Sequence, residues 1–188
     1  IGVIMPLTGP YGPLGNESLA GVQTAADIIN KAGGINGRPV ELTVIDDKSA
    51  PDQSVIGFKS LASKNVVGVI GSLFSNSAVA TFPLAEAAKV PYIGAAVADE
   101  QIDPVKDYVF IASIPMRPVS EAILKYLASE KLTKVAVVYD SKNAFSLSGW
   151  KHMQALGPAL GIEFVVGNAD TFEFSDKVFG ALVQYPWP

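Results

Sequence analysis

Seven short apolar runs, set apart by helical patterns and turns, constrain this chain more than any other feature. They occupy residues 1–5, 40–45, 66–70, 91–94, 108–111, 135–139 and 162–166. The runs are continuous rather than alternating, the pattern of strands buried on both faces. Between most of them lie helical spacings. Leu19, Val22, Ala26 and Ile29 fall on one face at i, i+3, i+7 and i+10. Gly33-Gly34 closes that helix by tolerating positive φ. A second helix has Ser49 as its expected N-cap, Pro51 in its first turn, and Val55, Phe58 and Ala62 facing inward. A third begins near Asn76 and contains Pro83, which is expected to bend it. A fourth carries Ile123, Leu124 and Leu127, and a fifth Met153, Leu156 and Leu160. Strand and helix in alternation predict an α/β fold with doubly wound parallel sheets and right-handed crossovers. The pattern pauses over residues 95–120, which hold Pro104, Pro115 and Pro118. A boundary between two units is expected there, near 113–118.

Composition narrows the chemistry. Hydrophobic residues make up 49% and charged residues 17% of the 188 residues, so a packed core is expected. The apolar runs are far shorter than the roughly 18 residues a membrane span needs, so no membrane insertion is expected. The net charge is −4 and no three basic residues adjoin, which argues against a nucleic-acid partner. There is no Cys, which excludes thiol catalysis, disulfides and Cys-based zinc sites. The lone His152 removes most His-based metal sites and catalytic triads, so neither metal nor cofactor is expected, and His152 itself reads as a surface residue. Gly9-Pro10-Tyr11-Gly12-Pro13-Leu14-Gly15 lacks the spacing of a dinucleotide fingerprint, its prolines remove N–H donors, and no phosphate-loop Gly-Lys-Ser/Thr occurs. Asp46-Asp47 reads as a strand end and turn cap rather than a metal site. Glu17 and Asp27 read as solvated helix charges.

Doubly wound sheets bind ligands beyond the carboxyl ends of their strands. Gly71-Ser72-Leu73-Phe74-Ser75-Asn76-Ser77 follows one apolar run and opens a helix, where free N–H groups and the helix dipole favour an anion. Ser75 and Ser77 add hydroxyl donors. The same residues also suit a plain helix cap, and from the residues alone both readings stay open. Ala95-Ala96-Val97-Ala98-Asp99 is either a second binding loop or a small-residue turn that allows close packing.

Seven linked segments then match one family pattern in order and spacing. They are Leu7-Thr8-Gly9-Pro10; Asn30 with Gly33-Gly34-Ile35-Asn36-Gly37-Arg38; Asp46-Asp47 with Pro51; Gly71 with Ser75; Val90-Pro91-Tyr92-Ile93; Tyr108-Val109-Phe110; and Val135-Ala136-Val137-Val138-Tyr139-Asp140. In these the chain resembles the type I periplasmic solute-binding proteins of ABC transporters, in the branch that binds branched-chain amino acids. The resemblance implies a two-lobed fold, with residues 1–115 in the first lobe and 116–188 opening the second. It covers only the family's N-terminal half, and the tail Gln184-Tyr185-Pro186-Trp187-Pro188 departs from the family continuation, so a fragment of a longer protein is expected.

The resemblance also implies a site. Ser75 stands where the family holds the ligand carboxylate, and backbone groups at Ala96 and Ala98 complete that clamp. Phe145 stands where the family places a Tyr ring over the ligand, and reads otherwise as a Phe packed under its own helix. The candidate ligand-binding set is Ser75, Asn76, Phe74, Ala96, Ala98, Phe145, Tyr11 and Leu14. Three departures stand out. Ala98 lacks the usual hydroxyl, Ile111 replaces an Arg, and Pro115-Met116-Arg117 replaces an acidic residue. They suggest a carboxylate without an α-amino group, such as an aromatic acid, over the family's usual amino acid.

The implied function is non-enzymatic. An extracytoplasmic or periplasmic protein, anchored by a lipid-modified segment since removed, would close two lobes on a small carboxylate or amino acid and deliver it to a membrane permease. A ligand-sensing regulatory or receptor domain of the same fold is the alternative. An α/β enzyme is disfavoured, because the candidate loops offer Ser, Asn and Ala but no base.

Overall fold

The computed structural model describes residues 1–168. The tail segment Gln184-Tyr185-Pro186-Trp187-Pro188 and the later part of the expected second lobe lie outside the described residues. All seven apolar runs form strands: β1 (Gly2–Met5), β2 (Thr43–Asp46), β3 (Val69–Gly71), β4 (Tyr92–Gly94), β5 (Val109–Ile111), β6 (Lys134–Tyr139) and β7 (Glu163–Asn168). Five helices connect them: α1 (Gly12–Lys31), α2 (Pro51–Ser63), α3 (Ser75–Ala88), α4 (Met116–Ser129) and α5 (Ala144–Leu156). The first five strands form one parallel sheet in the order β2-β1-β3-β4-β5, and β6 and β7 form a separate parallel pair.

The first sheet carries helices on both faces. Ile4, Val69, Tyr92 and Val109 share a core with Phe58 and Leu61 of α2 and Ala78, Phe82 and Ala85 of α3. Val44, Val3, Ile70, Ile93 and Phe110 lie side by side in register on the other face. There α1 leaves an apolar groove beside Met5 and Ile70, and Ile93 and Phe110 stay 45% and 51% exposed. The β6–β7 pair departs from the double burial expected of continuous apolar runs. Tyr139 and Phe164 pack on Trp150 of α5, while Val138 and Val165 face outward, 52% and 59% exposed.

Several local expectations shift. The second strand starts at Thr43, not residue 40, because the Asn30 side chain takes both backbone groups of Val40, accepting at 2.6 Å and donating at 3.0 Å. That pairing ties Val40 to α1, and the Glu41 carbonyl accepts from the Ile1 amino group at 2.8 Å. The α2 N-cap is Ala50 rather than Ser49, and Pro51 holds the first helical position. Gly33 and Gly34 follow α1 with φ of 102° and 74°, as the double glycine requires.

Candidate functional site

In the strand order β2-β1-β3-β4-β5 the chain runs outward in opposite directions from β1 and β3. The loops after those two strands therefore part and leave a crevice at the switch point. A cavity of about 420 Å³ occupies it, lined by Tyr11 from the first loop, Leu73 and Phe74 from the second, and Ser75, Asn76 and Ser77 at the start of α3. Ser49, Pro51, Val97, Asn143 and Phe145 complete the wall. The size suits a small organic ligand, and among the described residues no charged side chain lines it.

The first loop is sewn down by β2. Asp46 accepts from the Leu7 and Thr8 N–H groups at 2.8 and 3.2 Å, from the Thr8 hydroxyl at 2.7 Å and from Lys48 N–H at 2.8 Å. Asp47 is fully buried and accepts from Ser49 N–H and the Ser54 hydroxyl. The paired carboxylates thus act as turn caps, as their place at a strand end suggested. The Ser49 hydroxyl donates to Thr8 O and accepts from Tyr11 N–H, which fixes the Tyr11 backbone. The Tyr11 ring stacks on Phe74 with centroids 3.7 Å apart, bridging the two loops.

Burial works to raise the Asp46 pKa, but the Thr8 hydroxyl and three backbone N–H bonds stabilise the carboxylate and hold it below its ordinary 3.8. A lowered folded-state pKa adds stability above the unfolded value, and this is lost as pH falls through the folded value. Asp46→Asn is therefore expected to lower the urea midpoint near neutrality and to differ much less from wild type at about pH 3. An equal deficit at both pH values would mean that the charge contributes nothing.

The α3 N-terminus answers the cap reading of Ser75 and Asn76. Phe74, not Ser75 or Asn76, holds the N-cap position, and no side chain caps the helix. Ser75 and Asn76 are the first two helical residues, where N–H groups have no intrahelical acceptor. The Ser75 hydroxyl accepts from Ala98 N–H at 3.3 Å, so the two candidate loops meet there. Ala96 and Ala98 are buried, and Val97 between them faces the cavity instead. The Ala98 carbonyl is taken by the Gln101 side chain and the Ala96 carbonyl by the Ser113 hydroxyl. Leu14 sits one turn into α1, 55% exposed and away from the cavity wall.

The opposite wall comes from the start of α5, capped by the Asn143 side chain on Phe145 and Ser146 N–H. Phe145 is 46% exposed and faces the cavity, rather than packing beneath its helix. Asn76 reaches across. Its side-chain oxygen accepts from Ala144 N–H at 2.6 Å, and its amide donates to Lys142 O at 2.9 Å. Arg117 stays outside, paired with Glu121 at 3.0 Å. His152 is not a plain surface residue. Its Nε2 lies 2.6 Å from Asp99 Oδ2, which also accepts from the Ser148 hydroxyl at 2.7 Å. Sequence reasoning missed Val97, Ser49, Asn143 and this Asp99 cluster. Asn143 alone carried a local signal, an Asn just before an apolar helical spacing.

Comparison with known proteins identifies the family and the fold. A family model described as periplasmic binding protein matches residues 1–183. A Leu/Ile/Val-binding protein homolog of Brucella abortus is 31% identical over 180 residues, covering 90% of this chain and 45% of the relative. The chain therefore spans about half the length of the curated relatives it matches. Among solved structures, the branched-chain amino-acid substrate-binding protein LivJ of Streptococcus pneumoniae, in complex with isoleucine, superposes with TM-score 0.81 at 23% identity over 98% of this chain and 53% of its own. A solute-binding protein of an ABC transporter from Rhodopseudomonas palustris, in complex with 3,4-dihydroxybenzoic acid, gives 0.77 at 24% identity over 89% and 46%. Among the described residues no helix is long and apolar enough to cross a membrane.

Proposed function

The chain belongs to the periplasmic binding protein family, and on that premise we propose that it is the ligand-holding half of an extracytoplasmic solute-binding protein. It takes a small carboxylate between two α/β lobes, residues 1–115 and 116–188, and the loaded protein delivers it to the permease of an ABC importer. The protein is periplasmic, or held at the outer membrane surface by a lipid-modified segment. We read it as a binding protein rather than an enzyme, and the described residues of the cavity wall include no acid or base.

The observation that carries this reading is the wall itself, an uncharged crevice with a helix N-terminus on one side and three aromatic rings around it. The α3 N–H groups and the Ser75 hydroxyl suit a carboxylate. Tyr11, Phe74 and Phe145 suit a flat apolar body. Among the described residues no carboxylate side chain lines the cavity to pair an ammonium group, and burying an unpaired ammonium costs several kcal/mol. An aromatic or aliphatic acid therefore fits this wall better than a free α-amino acid.

A thermal-shift series on the intact protein tests it, with benzoate, 3,4-dihydroxybenzoate, L-leucine and L-isoleucine. The aromatic acids are expected to stabilise, by about 2.7 kcal/mol at 100 times the dissociation constant. Phe145→Ala is expected to weaken them about tenfold or more. Stabilisation by leucine or isoleucine with no response to either benzoate would overturn the ligand class.

A further inference from the structure

Asn76 lines the cavity, yet its amide is already committed at both ends to backbone groups of the opposite wall. We propose that Asn76 is a closure clasp, which raises ligand affinity by holding the two sides of the crevice together rather than by touching the ligand. The inference rests on the reading of the crevice as the ligand site.

Among the described residues, contacts of two kinds between the first sheet unit and α4–α5 differ in chemistry and position. Near the chain crossing, Met116 N–H donates to Val97 O at 2.9 Å and Arg117 N–H to Asp99 Oδ1 at 3.4 Å. The Asp99 carboxylate there also takes the Ser148 hydroxyl and His152, and Lys151 pairs with Glu100 at 3.3 Å. These charge-assisted bonds lie against residues that the backbone itself holds in place, so they mark a pivot. The Asn76 bonds lie at the other end of the contact, at Ala144, eight residues before His152 and about 12 Å away along α5. Rotation about the crossing separates that end most.

The two Asn76 bonds are neutral, and water replaces both when the crevice opens, so their net worth is modest. A modest bias suits a reversible latch: it shifts the closed population without locking it. Their geometry is also specific. One side-chain amide reads a backbone C=O and N–H two residues apart, so these two bonds depend on the Asn76 side chain and not on the side chains at 142–144.

The test uses the intact protein, spin-labelled at the exposed positions Lys59 and Lys142, the second at the end of the contact that separates most. Without ligand, Asn76→Ala is expected to lengthen the label-to-label distance distribution, and Asn76→Asp, which keeps only the bond from Ala144, to lengthen it less. With benzoate, 3,4-dihydroxybenzoate or L-isoleucine as probe, Asn76→Ala is expected to raise the dissociation rate about tenfold, by one factor for every probe that binds, with the association rate unchanged. An unchanged distance distribution overturns the clasp. So does a loss of affinity confined to one probe, which would make Asn76 a ligand contact. If no probe binds wild type, the ligand reading fails, while the distances still decide the clasp.

Discussion

Replacing Gly71 with alanine is expected to cost more than 4 kcal/mol of stability, the range of severe core disruption. A Cβ there would lie 1.8 Å from Tyr92 Cζ and 1.9 Å from its hydroxyl oxygen. The ring cannot swing aside. Tyr92 is fully buried in the core of the first sheet, Phe82 meets it edge-on with centroids 5.5 Å apart, and its oxygen accepts Ser72 N–H at 3.0 Å. Burial also raises the Tyr92 pKa far above its ordinary 10.0, so the hydroxyl stays neutral at all working pH values. Because β3 pairs with both β1 and β4, a forced shift of Gly71 disturbs the strand that positions α3 and the crevice. Urea unfolding of the intact protein measures the loss. Tyr92→Leu alone is expected to cost a few kcal/mol through lost packing and an orphaned Ser72 N–H. Because it also clears the space, Gly71→Ala combined with Tyr92→Leu should cost much less than the two single losses added. Strict additivity would show that the ring is not what excludes a side chain at 71.

Ser75→Ala is expected to weaken a carboxylate ligand roughly 10- to 150-fold, the equivalent of one charge-assisted hydrogen bond of about 1.5–3 kcal/mol. The same change leaves the Ala98 N–H, which now donates to Ser75 Oγ at 3.3 Å, without its acceptor. A small fall in melting temperature should therefore accompany the affinity loss. Charge separates the two effects. Calorimetry with benzoate should show the full loss, whereas benzamide, which carries no anion, should bind wild type and variant alike. Equal weakening of both would assign Ser75 to loop support alone.

The residues settle much of this protein before any packing is known. Continuous apolar runs favour strands and the helical spacings between them favour parallel pairing, so all seven strands and the α/β class follow from periodicity, although the outer face of β6–β7 stays exposed among the described residues. Gly33-Gly34 acts through φ, and Asp46-Asp47 caps the Lys48 and Ser49 N–H groups beside it; such local chemistry is visible in a linear string, whereas the bonds from Leu7 and Thr8 to Asp46 are not. The loop carrying Ser75 was legible for the same reason: a strand running into Gly, Ser and Asn at a helix start. What needed the tertiary structure is whatever depends on distant residues meeting. Ser75 looked like a cap or a clamp until the N-cap proved to be Phe74 and the hydroxyl proved to face Ala98. That residues 142–144 meet the Asn76 amide at the cavity wall was invisible in the string, and His152 looked solvated until Asp99 came within 2.6 Å. A polar side chain has several possible partners, and its sequence neighbours do not choose among them. That choice falls to the folded chain, because leaving a buried or half-buried donor unmatched costs more than any local preference.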